Sequence, residues 1–240
     1  MKKSKMDKKG FRSLKAGNTA ELYIYDDIGD SWMGGISAKD VKDELKRIGK
    51  VDAIEVYINS AGGSVFDGTA IHTQLERNTS KINVHIDGLA ASIASLIAMA
   101  GDTVSMAQNA MLMVHDPWIV TGGTAKELRE QADVMDKIKD KLVDTYAKKT
   151  GQDKELIDGM MAAETWIDAE EALDLGFIDT VDEPLRIAAH CDCSKFKNCP
   201  DHLKLSKFTL VKDAKPADGA LKSRLAHAAK TITKIKQQTG

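Results

Sequence analysis

Aromatic side chains are scarce, at 5% of the 240 residues, and there are only four prolines. The core must be filled by Ala, Val, Ile, Leu and Met, and a fibrous or proline-rich chain is excluded. Long apolar runs are missing. The longest, Leu89–Ala100, carries two serines and is too short to cross a membrane. No apolar stretch follows the charged segment Lys2–Lys15, so no secretory signal is expected. Neither G-x-x-x-x-G-K-[ST] nor G-x-G-x-x-G occurs, so a nucleotide-binding loop is not expected. Cysteine is absent from residues 18–182, and the three present lie between 191 and 199. That odd, clustered set is no disulfide framework and suits a reducing compartment. A soluble cytoplasmic protein is expected.

What is present suits one globular domain with tails: 42% hydrophobic and 29% charged residues. The net charge of −2 hides an asymmetry, with +6 over residues 1–17, −15 over 18–182 and +7 over 183–240. Basic tails thus flank an acidic body. They are either solvated or hold an acidic partner or nucleic acid. Residues 1–17 read as a disordered basic arm, 18–182 as the folded body and 183–240 as a basic extension.

Within the body, strands alternate with helices. Glu21–Tyr25, Ala53–Ile58 and Ile82–Ile86 read as strands, with short ones near Thr103–Met106, Met111–Val114 and Phe177–Val181. Ser37 with Asp40, and Asp168 with Glu171, are capping boxes that start helices. Ala91–Ala100 reads as a buried apolar helix. Thr124–Thr150 is a long polar helix, about 40 Å at 1.5 Å per residue. Its narrow apolar stripe suits either its own domain or a partner subunit. The class is α/β.

Three features could carry chemistry. Ser92 enters the apolar helix. Its hydroxyl either back-bonds to the preceding turn or serves as a nucleophile where free N–H groups favour negative charge. Ser95 is a rival one turn deeper. His115 ends an apolar strand, where open α/β sheets place their sites; alone it would be a structural histidine, and with a serine nucleophile nearby it suits a general base. His72, His85 and His227 are weaker candidates. Gly62-Gly63 after a strand allow a tight turn and close backbone approach.

Taken together, Y-I-N-S-A-G-G-S-V (57–65), G-L-A-A-S-I-A-S (88–95), M-V-H-D-P (113–117) and A-E-E-A-L-D-L-G-F-I-D (169–179) resemble the ClpP-type serine peptidases. The likeness is greatest to the head maturation (prohead) proteases of tailed phages and prophages, and it covers about residues 20–182. It implies a ClpP/crotonase-type β-α-β superhelix with a projecting handle helix at 124–150. It implies Ser92 as nucleophile, His115 as base, Glu164 as the third triad member, and the amides of Gly63 and Ile93 as oxyanion hole. Glu164 stands where the family more often has Asp, and Asp168 reads as a helix cap. The implied assembly is a ring of about seven copies, single or stacked. The implied substrates are scaffold and capsid precursors, in the host cytoplasm or the procapsid. Catalysis would need no cofactor, membrane or nucleic acid.

Two features depart from unfoldase-coupled relatives. Ala61 replaces a usual proline, and the arm 1–17 stands where apolar loop residues are expected. Rival readings are a ClpP paralogue served by an ATP-dependent unfoldase, a crotonase-type acyl-CoA enzyme and an inactive structural ring. In the extension, Cys191, Cys193, Cys199 and His202, with His190 nearby, form a possible structural Zn site. Loose reduced cysteines are the plainer alternative. The tail could also contact scaffold or nucleic acid, or be removed by self-cleavage.

Overall fold

The computed structural model describes residues 10–29, 35–185, 196–200 and 203. Part of the arm expected to be disordered is a strand. Phe11–Ala16 (β1) pairs antiparallel with Thr19–Ile24 (β2) across the two-residue turn Gly17-Asn18. Gly17 has φ +63°, as a glycine-first hairpin turn requires. The arm's basic residues find partners that local charge counting does not reveal. Arg12 lies 4.1 Å from the centre of the Tyr23 ring, and Lys15 Nζ donates to the Ile48 carbonyl at 2.9 Å.

The order continues as α1 (Ala38–Ile48), β3 (Ala53–Ser60), α2 (Val65–Glu76), β4 (Lys81–Ala91), α3 (Ile93–Ala98), β5 (Thr103–Ala107) and β6 (Met111–Val114). Then come α4 (Ala125–Thr150), α5 (Lys154–Ala162), β7 (Thr165–Ile167), α6 (Ala169–Asp174) and β8 (Thr180–Asp182). Both expected capping boxes form, Ser37 with Asp40 and Asp168 with Glu171. Strands β2, β3, β4, β5 and β8 lie parallel in that order, with β1 antiparallel at the β2 edge. Burial alternates along β3: Ile54, Val56 and Ile58 face the core, while Glu55 and Tyr57 are half covered. On that second face Tyr23, Tyr57 and His85 stack in a row at 4.8 Å spacing.

Strand β4 sets up the site. Its first half pairs with β5, and its second half, Leu89–Ala91, pairs with β6. The pairing with β3 shifts register between Ile58 and Ser60. The strand therefore runs five residues beyond the expected Ile86, and α3 begins only at Ile93. The residues that pair with β6 are Leu89, Ala90 and Ala91, opposite Met111, Leu112 and Met113. Helix α3 is fully buried, as its composition demands.

Helix α4 has its N-cap at Thr124, which also forms a capping box with Glu127. Leu142, Val143 and Tyr146, near its C-terminal end, are buried. Its first half is largely exposed, including Leu128 and Val134. Among the described residues no helix is long and apolar enough to cross a membrane.

Candidate active site

Three turns meet at the carboxyl ends of parallel strands, the usual place for sites in open α/β sheets. Gly62-Gly63 follow β3, Ser92 follows β4 and His115 follows β6. The β4–β6 register matches Ala91 with Met113, and the Ser92 amide donates to the Met113 carbonyl at 2.9 Å. This pairing brings the next side chains together, with Ser92 Oγ 2.7 Å from His115 Nε2.

Ser92 caps α3 without using its hydroxyl as a cap, and its backbone is strained at φ 55°, ψ −131°. A non-glycine residue there costs about 1–3 kcal/mol, a strain that typically gathers at functional sites. Ser95, the rival, is fully buried, and its hydroxyl is bound to Tyr146 and to the Ser92 carbonyl. It takes the structural role.

The glycines fit tightly. A Cβ on Gly62 would lie 2.6 Å from the Ala91 carbonyl and 2.8 Å from Ser92 Cβ. Gly63 has φ +146° and bridges Ile28, whose bonds go to the flanking Gly62 carbonyl and Ser64 amide. In a parallel pairing of this kind the middle residue's own N–H points to the opposite edge.

His115 is held below its ordinary pKa, chiefly by burial. Glu164 and Asp116 oppose that shift and Lys197 adds to it. Asp116 is engaged elsewhere, 3.2 Å from Lys139, which also meets Asp158 at 2.8 Å. Glu164 lies near His115 but makes no hydrogen bond to it. Its Oε1 accepts the Asn198 amide at 2.6 Å, and its Oε2 accepts the Lys197 amide at 3.0 Å. Glu164 also has a left-handed backbone, φ 49°. The Phe196 ring stands edge-on to His115, with centroids 5.8 Å apart, and edge-on to Trp166 at 5.5 Å. Sequence reading overlooked Phe196, Lys197, Asn198 and Trp166. The only local signal was an aromatic residue amid a basic, polar stretch.

The other histidines have structural places. His85 bonds Glu55 and Ser105, both at 2.8 Å, and His72 is lowered in pKa by burial on α2. Of the residues considered for zinc, Cys191, Cys193, His190 and His202 lie outside the described residues, as does His227. Cys199 is buried and disulfide-bonded, contrary to the expectation of reduced cysteines, so in this state it offers no thiolate. Among the described residues no group of three His, Cys, Asp or Glu side chains could hold a metal ion.

Residues 24–184 match the Clp protease family. The ATP-dependent Clp protease proteolytic subunit 1 of Chlamydia abortus is 32% identical over 157 residues, covering 61% of this chain and 81% of that one. Its namesake from Leifsonia xyli subsp. xyli is 33% identical over 138 residues, covering 57% and 70%. A ClpP1 mutant from Listeria monocytogenes superposes with a TM-score of 0.60 at 26% identity, over 69% of this chain and 91% of that one. The chain belongs to the Clp protease family. It is a serine-type endopeptidase with the ClpP-like fold.

Proposed function

We propose that Ser92, His115 and Glu164 form the catalytic triad. The observation that carries this is the 2.7 Å contact between Ser92 Oγ and His115 Nε2 on a strained strand-to-helix turn. In the proposed mechanism neutral His115 accepts the Ser92 proton through Nε2 as Oγ attacks the scissile carbonyl. The tetrahedral oxyanion is received by the amides of Gly63 and Ile93. His115 then passes its proton to the leaving amine, and water repeats the sequence to free the acyl group. Glu164 stabilises the imidazolium when it faces Nδ1. Hydrolysis of a fluorogenic peptide tests the assignment. Ser92→Ala and His115→Ala should each lower kcat by about 10³-fold or more. Retention of turnover in either would sink it.

The physiological substrates we propose are scaffold and capsid precursors, cleaved during phage head maturation. The basic arm 1–17, standing where unfoldase-coupled relatives are expected to have apolar loop residues, supports that reading. So does Ala61 in place of proline. A ring of about seven copies is the proposed assembly. Incubation with co-expressed precursors should give discrete fragments that Ser92→Ala does not produce. A second reading has its own support, since the relatives above are named as subunits of ATP-dependent proteases. Degradation that requires an unfoldase and ATP would favour it.

A further inference from the structure

Given the triad proposed above, we propose that residues 196–199 of the C-terminal extension are a latch that draws Glu164 away from His115 and holds the peptidase in a low-activity state. Two successive backbone amides, of Lys197 and Asn198, grip the two oxygens of one carboxylate at 3.0 and 2.6 Å. Such paired N–H groups form an anion nest, and hydrogen bonds to an ionised carboxylate are about twice as strong as neutral ones. Asn198 Nδ2 adds a bond to the Ala163 carbonyl at 2.8 Å, which fixes the segment against the turn that carries Glu164.

The apolar side of the segment is equally engaged. Phe196 and Cys199 are buried with Ala61, Leu89, Ala91 and Met113. Ala61 precedes the glycine turn, Ala91 precedes Ser92, and Met113 lies two residues before His115. The latch therefore packs on the walls of the site, and Phe196 covers one side of the imidazole. Cys199, at its far end, is tied by a disulfide.

The consequence falls on His115. Its Nε2 meets Ser92, but no carboxylate among the described residues bonds its other nitrogen. Among the described residues, the charged groups that act on it are Glu164, Asp116 and Lys197. Asp116 is paired with Lys139, and Glu164 is held by the latch. Lys197 brings a positive charge that disfavours the imidazolium. Release of the segment lets Glu164 turn to Nδ1–H, uncovers the ring and removes that charge. All three changes favour the protonated imidazole needed midway through the reaction.

The test uses the full-length chain. Lys197→Pro and Asn198→Pro each delete one amide donor to Glu164, and Phe196→Ala deletes the covering ring. Peptide hydrolysis is measured against pH, with native mass and circular dichroism to check assembly and fold. Asn198→Ala, which removes only the side-chain bond, is a milder variant expected to act in the same direction. The expected result is a rise in kcat/KM of about tenfold or more, given what an orienting carboxylate contributes to a triad. The acid limb should also move to higher pH, because an approaching carboxylate raises the imidazole pKa. Combining Asn198→Pro with Glu164→Gln should abolish most of both changes, leaving only the smaller share that the uncovered ring and the displaced Lys197 charge supply without the carboxylate. Correctly assembled variants that hydrolyse peptide no faster than wild type would overturn the latch while leaving the triad standing. A gain that survives Glu164→Gln at full size would also overturn it. Absence of Ser92-dependent turnover from wild type and all variants would overturn latch and triad together.

Discussion

At the scale of single residues, the strain at Ser92 separates function from stability. Its φ of 55° with ψ −131° suits glycine, so the side chain is kept at a cost of about 1–3 kcal/mol. Both Ser92→Gly and Ser92→Ala lose the hydroxyl, but only glycine relieves the backbone. After deducting the extra unfolded-state freedom of glycine, the Gly variant should be about 1 kcal/mol more stable than the Ala variant. Urea unfolding of the two reads this directly, and a less stable Gly variant would contradict it. The pH dependence has a definite sign. Burial disfavours the imidazolium and lowers the His115 pKa from its ordinary 6.5. The base therefore stays neutral to lower pH, and the acid limb of kcat/KM in wild type should have its midpoint below 6.5. A midpoint above that value would mean that a carboxylate, not burial, dominates. Local pattern singled out Ser92 and His115 as a serine entering an apolar helix and a histidine ending an apolar strand, but left a structural role open for each, and only the family resemblance joined them as a pair. The engagement of Glu164 was not legible in sequence, since its partners lie 33 and 34 residues away in a stretch with no periodicity.

Among elements, the helices with side-chain caps were the most legible. Ser37–Asp40 and Asp168–Glu171 mark their helices by short-range chemistry, and the long helix from Thr124 needs only its composition. Strand ends were harder. The extension of β4 to Ala91 depends on pairing with β6, which no local pattern encodes. β1 was hidden by its charges, whose partners are on β2 and at the C-terminal end of α1. The short α5 and β7 follow the long helix without a strong signal of their own and were not anticipated. Helix α4 offers the element-scale prediction. Leu128 and Val134 are 41% and 50% exposed, so Leu128→Glu with Val134→Lys should change protomer stability by no more than about 0.5 kcal/mol. If α4 packs on a partner copy, the same pair of changes should shift sedimentation from the assembled to the protomeric species. Unaltered assembly would remove α4 from the interface.

Across the whole molecule, the strands bring three loop ends, after β3, β4 and β6, to one site. A segment of the basic extension then reaches back onto it. The sequence's division into arm, body and extension is thus looser than charge alone suggested. Phe11–Ala16 adds a strand to the body's sheet, and Phe196–Cys199 packs against its site. Charge marks which segments are basic but not where they dock. The most direct test of the central claim is fluorophosphonate labelling of the full-length assembled protein, followed by peptide mapping. An activated Ser92 should take up one label per chain, on the peptide containing residue 92, and Ser92→Ala should take up none. Labelling at another serine, or none in a wild type that has assembled and cleaves nothing, would contradict the account.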